Sequence, residues 1–318
     1  MHPVPERPGR GRGLTLSGRA GIWPSLMENS RTVRRGEPGY PGLLERVPSP
    51  PSALRLRGTL GPPGMRRVAV VGSRGTDPYG ADLAHDIAGG LAGAGVSVVS
   101  GGAEGVDAAA HRGALEAGGH TVAVMGCGFA HCYPAGHRAL FEEVVARGGA
   151  LVTEHDDPEP PAPWTFPRRN RIVAGLSELV VVVRAAARSG ALNTAAWARR
   201  AGIPVCAVPG DVRHPLSAGP TSLLRAGALP VASAADVLEA MSLPAPARPE
   251  PGTTPELHGD EAALWRALGP EPQEAGALAR EAGLAPGAAL AGLLALELEG
   301  LCQQLPGQLF LRRSQGRG

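Results

Sequence analysis

Seven short apolar runs alternate with amphipathic stretches between residues 66 and 243, and this alternation predicts an α/β domain. The strand-like runs cover residues 67–72, 96–100, 121–126, 150–154, 179–184, 203–208 and 229–232. The segments 79–94, 105–118, 137–147, 169–176, 190–201 and 234–242 have helical periodicity. Strands that alternate with helices form a parallel sheet with both faces covered. We therefore expect a Rossmann-like parallel sheet domain over residues 66–243.

The rest of the chain predicts four further segments. Residues 1–39 are rich in Arg, Gly and Pro without periodicity and predict a disordered leader, with Met27 and Met65 as alternative starts of the protein. Residues 40–65 predict a lead-in segment, and residues 244–257 a Pro-rich linker. Residues 258–318 contain helical patterns at 260–268, 273–282 and 286–299, followed by a hairpin pattern around Pro306-Gly307. Three helices and a hairpin in so short a segment predict a small C-terminal winged-helix domain.

Three glycine-rich turns follow the first three strand-like runs. They are Gly72-Ser-Arg-Gly75, Ser100-Gly-Gly-Ala-Glu-Gly105 and Gly126-Cys-Gly128. The carboxyl ends of parallel strands lie side by side, so backbone N–H groups and helix N-termini converge there on a crevice that suits a phosphate. Glycine also lets the backbone come close to a ligand. The candidate phosphate-binding residues in these turns are Gly72, Ser73, Arg74, Ser100, Gly101 and Gly102.

A fourth segment, Trp164-Thr-Phe-Pro-Arg-Arg-Asn-Arg171, adds guanidinium groups to this crevice. A helix that begins after Pro167 would present its positive end together with these arginines. Aromatic residues interleaved with basic ones are typical of single-stranded DNA binding, although a core Trp–Phe pair with solvated arginines is the alternative. The next helix start supplies a hydroxyl group and a glycine. The candidate residues in these two segments are Phe166, Arg168, Arg169, Asn170, Arg171, Ser189 and Gly190.

Composition limits these hypotheses but does not decide between them. The net charge of the 318-residue chain is only +2, so an anion site must be a local cluster. All 31 basic residues are arginine, which suits phosphate but also follows from genomic base composition. Four cysteines without a disulfide framework favour a reduced, cytoplasmic protein. The longest apolar runs are too short to span a membrane, so we expect no membrane partner.

Cofactor, metal and catalytic sites are each disfavoured by a missing element. The Gly72 turn is not a G-x-G-x-x-G fingerprint, and no acid follows at the spacing that binds a ribose, so we expect no nicotinamide cofactor. Cys127, His131, Cys132 and His137 lack a second cysteine pair, so we expect no metal. Asp107 and His111 have helical i, i+4 spacing but no accompanying nucleophile, which favours a structural role. We therefore expect no enzymatic activity.

Several motifs in one order resemble the DprA/Smf family of bacterial DNA-processing proteins. The resemblance rests on Tyr40-Pro41, Gly72-Ser-Arg74, Ser100-Gly-Gly-Ala-Glu-Gly-Val-Asp107, His111-Arg-Gly-Ala-Leu115, Tyr133-Pro134, Phe166-Pro-Arg-Arg-Asn-Arg-Ile172, Gly175-Leu-Ser177 and Ala207-Val-Pro-Gly210. It spans roughly residues 40–313. The family commonly has Asn at His137, Glu at Arg184, Ile at Asn193, Asn at Thr221 and a Glu-Tyr-Pro segment where this chain has Glu154-His-Asp-Asp-Pro158.

The resemblance implies a protein of DNA uptake and natural transformation. It would bind and protect incoming single-stranded DNA, form a homodimer and help to load a RecA-type recombinase. Arg74, Arg169 and Arg171 match the basic residues that contact DNA in the family. Two alternatives stay open: a nucleotide-binding sensor, and a nucleotide phosphoribohydrolase of a related sheet architecture. The second is disfavoured because the chain contains no Pro-Gly-Gly motif.

Overall fold

The computed structural model describes residues 30–244, 257–269, 271–299 and 301–312. The chain divides into two compact units, Met1–Pro246 and Ala247–Gly318. The predicted leader up to residue 29 and nearly all of the predicted linker lie outside the described residues, as does Arg313. Among the described residues, no single helix is long and apolar enough to cross a bilayer; the helices Ala275–Ala282 and Pro286–Leu298 reach that length and composition only jointly, with a bend of 105° between them.

A nine-stranded sheet forms the centre of the first unit. Its strands are β1 (Arg31–Arg34), β2 (Ala53–Gly58), β3 (Arg67–Val71), β4 (Ser97–Ser100), β5 (Thr121–Val124), β6 (Ala150–Thr153), β7 (Leu179–Val182), β8 (Val205–Ala207) and β9 (Leu229–Pro230). They are ordered β1-β2-β6-β5-β4-β3-β7-β8-β9. Strands β3 to β9 are parallel, while β2 is antiparallel to both β6 and β1. The seven predicted strands are therefore confirmed.

Among the described residues, seven α-helices cover the two faces of this sheet. They are α1 (Pro78–Gly93), α2 (Val106–Glu116), α3 (Arg138–Ala146), α4 (Thr165–Gly175), α5 (Gly190–Arg200), α6 (Ala218–Arg225) and α7 (Ala234–Ala240). On β3, Val68 and Val70 pack with α1, α2 and α7, whereas Ala69 and Val71 pack with α4 and α5. Because side chains alternate along a strand, strands buried on both faces need apolar residues at every position, and this explains the unbroken apolar runs.

The topology places a crevice at the centre of the sheet. Strands β4, β5 and β6 lie on one side of β3, and β7, β8 and β9 on the other. The helix after β3 covers one face, and the helix α5 after β7 covers the opposite face. Chain segments that leave neighbouring strands toward opposite faces create the crevice in which open α/β sheets bind their ligands.

The second unit is a winged-helix domain, as predicted. It contains α8 (Gly259–Ala267), β10 (Gln273–Glu274), α9 (Ala275–Ala282), α10 (Pro286–Leu298), β11 (Cys302–Leu305) and β12 (Leu309–Arg312). The three strands form an antiparallel sheet in the order β10-β12-β11. Leu264, Leu278, Leu293 and Phe310 are fully buried in a core of its own. Gly283 ends α9 in the left-handed conformation, with φ at 71°, which explains the glycine there.

Four elements differ from the sequence-based expectation. Strand β1 lies within the predicted leader 1–39, so the prediction of disorder is wrong for Arg31–Arg34. Strand β2 and helix α6 had no predicted counterpart. Helix α4 begins at Thr165, ahead of Pro167 rather than after it. A proline is tolerated in the first turn of a helix because the N–H that it lacks has no partner there in any case.

Candidate nucleic-acid interface

The turn after β3 carries an exposed arginine on a tightly packed backbone. A Cβ atom at Gly72 would lie 2.5 Å from Cγ2 of Val106 and 2.8 Å from the carbonyl oxygen of Arg184, so only glycine fits. The backbone N–H of Ser73 donates to that same carbonyl oxygen at 2.6 Å. These contacts fix the turn between α2 and the end of β7. They leave the side chain of Arg74 exposed at its tip.

Arg74 lies on an aromatic pair that comes from the start of α4 and from the loop after β5. Its guanidinium carbon Cζ is 5.1 Å from the ring centroid of Phe166. Phe166 in turn contacts Tyr133, with ring centroids 4.9 Å apart. Gly126 is needed beneath them, because a Cβ atom there would lie 2.9 Å from Cδ1 of Phe166. The structure thus brings together the predicted residues Arg74 and Phe166 and adds Tyr133, which sequence reasoning quoted as a motif but not as a site residue.

The turn after β4 is held by buried polar contacts. The hydroxyl of Ser100 is fully buried and donates to the carbonyl oxygen of Val70 at 2.7 Å. This hydroxyl links two strands, so the predicted part of Ser100 in the phosphate-binding turn does not come from its side chain. Gly102 has a φ of 67° and a Cβ atom there would lie 2.7 Å from Phe141. Its carbonyl oxygen accepts a hydrogen bond from Nδ1 of His137 at 3.0 Å.

Arg169 is a buried structural residue and not an exposed phosphate ligand. It is 5% exposed, and its guanidinium donates to the carbonyl oxygens of Gly101 and Val124. Burial lowers the pKa of Arg169 to about 10, and the carboxyl of Asp107 opposes that shift. Burial likewise raises the pKa of Asp107, against the effect of Arg169. The expectation that Arg169 contacts DNA is corrected: its charge joins α4 to the ends of β4 and β5.

The side chain of Arg171 is also paired within the protein. Its two terminal nitrogens donate to the two carboxylate oxygens of Glu154 at 2.6 Å each, and Nε donates to the carbonyl oxygen of Ser49 at 2.9 Å. Both side chains of the ion pair are more than nine-tenths buried. Although burial opposes it, hydrogen bonding and the charge of Arg171 hold the pKa of Glu154 below its usual value. The expectation that Arg171 grips a phosphate is corrected for this reason.

Arg168 is the accessible arginine of this helix start. Its side chain is 56% exposed, and Nη2 lies 3.2 Å from Oε2 of Glu154, an oxygen that Arg171 already engages. A carboxylate shared between two guanidinium groups leaves a net positive charge, so Arg168 stays able to attract an anion. Trp164, the residue before the helix, is 57% exposed and packs edge-on against His155 at 6.3 Å.

Asn170 connects the two helices that flank the crevice. Its Nδ2 donates to the carbonyl oxygen of Gly190 and to Oδ1 of Asn193, both at 3.2 Å. Ser189 caps α5, because its hydroxyl accepts from the backbone N–H of Ala191 at 3.3 Å. Ser189 is partly exposed and Gly190 is exposed, so this helix start stays accessible at the edge of the crevice.

The Asp107 and His111 pair does not form a catalytic dyad. Oδ2 of Asp107 accepts from the backbone N–H of Ala103 at 3.3 Å. The Thr121 hydroxyl donates to the carbonyl of Val98, so it accepts the proton on Nδ1 of His111, 2.7 Å away. Burial, the charge of His137 and that of Arg169 lower the pKa of His111 to about 3. Each residue therefore has a structural partner of its own, and the hydrogen bonds of the described residues do not pair them with each other.

The cysteines and histidines near β5 do not assemble into a metal site. The thiols of Cys127 and Cys132 lie 3.5 Å from the carbonyl oxygen of His131 and 3.3 Å from that of Pro134. Burial raises the pKa of these thiols to about 12 and about 11, so both are protonated at neutral pH. Within the described ranges, no group of three or more His, Cys, Asp and Glu side chains is arranged to hold a metal ion.

The family model described as DNA recombination-mediator protein A matches residues 31–242, and a DprA winged-helix model matches residues 245–308. A putative DNA processing protein DprA of Mycobacterium tuberculosis is 43% identical over 78% of this chain, and the match spans 65% of that relative's length. DprA of Streptococcus pneumoniae is structurally similar, with a TM-score of 0.63 at 35% identity over 68% of this chain and 76% of that one.

A second structure is that of DNA processing protein A from Helicobacter pylori, whose title describes a single-stranded DNA binding mode. It has a TM-score of 0.60 at 27% identity and covers 67% of this chain and 96% of that one. The family models together match far more than half of the chain, and the motifs quoted above fall within the first of them. This chain belongs to the DprA/Smf family of DNA-processing proteins.

Proposed function

We propose that this protein binds single-stranded DNA across the crevice at the carboxyl ends of the central strands. The observation that carries the proposal is the exposed guanidinium of Arg74, which lies over the ring of Phe166. An arginine beside a partly exposed aromatic offers a phosphate contact and a surface for base stacking at one point. Duplex DNA would bind more weakly, since its bases are not free to stack on Phe166.

The positive groups that remain available define the path of the strand. Arg74 and Arg168 contact the backbone, while the N-terminus of α4 between them adds its partial positive charge. The accessible start of α5, at Ser189 and Gly190, borders the same crevice. The buried residues Ser100, Arg169 and Arg171 shape this surface from beneath and do not contact the DNA.

The family membership supports a role as a recombination mediator in DNA uptake. We infer that the protein protects incoming single strands, associates as a homodimer and helps a RecA-type recombinase to assemble on them. Two dimer-related grooves on one strand would raise the apparent affinity by avidity. A nucleotide sensor and a phosphoribohydrolase are less favoured, because Asp107 and His111 have structural partners and the family match is to mediators.

The decisive experiment is fluorescence anisotropy of a labelled 30-base single strand over a salt series. We expect salt-dependent binding that Arg74→Ala weakens similarly for all base sequences, with a salt slope reduced by about one unit. Arg112→Ala is the matched control, because Arg112 is also exposed and lies past the middle of α2, whose N-terminus follows the glycine turn. Binding that is absent at low salt, or equal in both variants, would contradict the proposal.

The mediator role needs a separate assay. Assembly of a RecA-type recombinase on single strands coated with single-strand-binding protein should be faster with the wild type than with Arg74→Ala. Sedimentation velocity of the unbound protein tests the homodimer. A purely monomeric protein that binds DNA but never accelerates assembly would limit the function to DNA protection.

A further inference from the structure

A second concave site lies beside the crevice, on the other side of the α4 start. This cleft has a volume of about 770 Å³. One wall is the segment that leads into β2, with Pro50, Pro51 and Ser52, and the other is Trp197 with Asn193 on α5. Arg168 stands at its border with α4. The size is within the range of sites that enclose small organic groups.

The charges that line this cleft are paired, apart from the surplus positive charge on Arg168 at its border. Arg168 and Arg171 are both engaged with Glu154. Asp156 is paired with Arg55, whose Nη2 lies 3.0 Å from Oδ1 of the carboxylate. A phosphate would find surplus positive charge only at Arg168 on the border of the cleft, whereas a neutral planar group with polar edges would find apolar walls and hydrogen-bonding groups inside it. A nucleobase has these properties.

Trp197 supplies the stacking surface of the cleft. Its Nε1–H is buried and has no hydrogen-bond partner among the described residues. A group in the cleft would therefore meet the ring of Trp197 and not this buried donor. Cζ of Arg200 lies 5.3 Å from the ring centroid of Trp197, and this guanidinium can hold the indole in place.

The cleft is continuous with the proposed DNA path. Phe166 and Arg168 are two positions apart on α4, which is about 200° around a helix. Phe166 therefore contacts Arg74 on the crevice side, while Arg168 contacts Glu154 on the cleft side. A strand that crosses the N-terminus of α4 passes from one site directly to the other.

We propose that the cleft between Trp197 and the Pro50–Ser52 segment holds one nucleobase of the bound single strand, with the adjoining phosphate on Arg168. The base stacks on the indole of Trp197, and its polar edge meets the amide of Asn193. This proposal rests on the proposed function. It extends the interface by a base-binding site on the far side of α4.

The test combines changes in the DNA with changes in the protein. The full chain is first titrated with thymidine oligonucleotides of four to twelve bases, which gives the shortest length that saturates binding. Oligonucleotides of that length with one abasic nucleotide, placed at each position in turn, are then titrated in the same way. In the wild type we expect one abasic position to weaken binding about 5- to 100-fold through lost stacking. Trp197→Leu should bind the intact oligonucleotide about 5- to 100-fold more weakly than the wild type does. An abasic nucleotide at the same position should not weaken the binding of Trp197→Leu any further.

Two more variants separate recognition from folding. Trp197→Phe keeps an aromatic surface and should retain most of the penalty at that position. Ser52→Phe fills the cleft from the opposite, exposed wall without altering Trp197, and should remove the penalty as Trp197→Leu does. Thermal unfolding of each variant shows whether it is folded, and a loss of stability alone would not abolish the effect of a single abasic position.

The outcomes distinguish this proposal from the function on which it rests. If the wild type binds no single strand, the proposed function fails. If the wild type binds and Arg74→Ala weakens binding, but Trp197→Leu gives the same abasic profile as the wild type, the base site alone is overturned. A penalty that persists in Ser52→Phe would likewise place the base elsewhere.

Discussion

At the scale of single residues, burial decides what each charged group does. Arg74 and Arg169 both belong to motifs that match the family's DNA contacts, yet one is exposed and the other is 5% exposed. A guanidinium buried at that level must pair within the protein, since its desolvation is costly. Sequence motifs place both arginines near the crevice, but only the structure shows that one of them supports it from below.

His111 leads to a prediction about acid stability. Its pKa is about 3 in the folded protein against an ordinary value of 6.5, so the unfolded chain binds the proton between these values. Stability contributed by this group is therefore present above pH 6.5 and is lost as the pH falls toward 3. The free energy of unfolding should decrease between pH 7 and pH 5. We expect this decrease to be about 2 kcal/mol smaller in His111→Asn than in the wild type.

Urea unfolding at the two pH values measures this difference. The amide introduced by His111→Asn would keep a donor near Thr121 but would have no proton to bind in this range. His85→Asn is the control, because His85 is at the surface beside Glu116. Equal pH dependence in wild type and His111→Asn would show that other groups control acid unfolding.

At the scale of elements, the alternation of apolar runs was enough to predict all seven parallel strands, and three helical patterns with a hairpin pattern were enough to predict the winged helix. Unbroken valine runs such as that of β7 have one structural solution, a strand covered on both faces. Strands β1 and β2 were missed because arginines interrupt their apolar residues, as in Leu54-Arg-Leu-Arg57, and because the partner β6 of β2 is distant in sequence. The roles of the α4 arginines were missed because burial depends on Glu154 and on the ends of β4 and β5, contacts that spacing does not reveal.

Helix α4 allows its arginines to be separated by experiment. We expect Arg168→Ala to leave the free energy of unfolding within about 0.5 kcal/mol of the wild type, as for surface changes, and to reduce the salt slope of single-strand binding by about one unit. Arg171→Ala should instead cost about 3 kcal/mol, because it leaves Glu154 buried without its main partner. Urea unfolding and anisotropy on the same preparations check both values, and a stable Arg171→Ala protein would refute this division of roles.

At the scale of the whole molecule, the net charge of +2 provides little long-range attraction to DNA. The winged-helix unit adds little to this attraction for DNA. Its third helix, α10, exposes Leu294 and Leu298 and contains Glu297, and the guanidinium of Arg312 is held on the ring of Trp265 at 4.2 Å. We therefore assign the DNA affinity to the sheet unit.

The two separate cores make this assignment testable by calorimetry. Leu264 packs within the winged-helix core, so Leu264→Ala should lower the unfolding transition of that unit alone, at a cost of about 3 kcal/mol. A ligand stabilises only the unit whose folded form binds it, by about 2.7 kcal/mol at one hundred times Kd. A saturating single strand should therefore raise the transition that Leu264→Ala leaves in place and leave the lowered transition unchanged. If the oligonucleotide raised both transitions, the winged helix would share in binding, and the crevice with Arg74 would be only part of the interface.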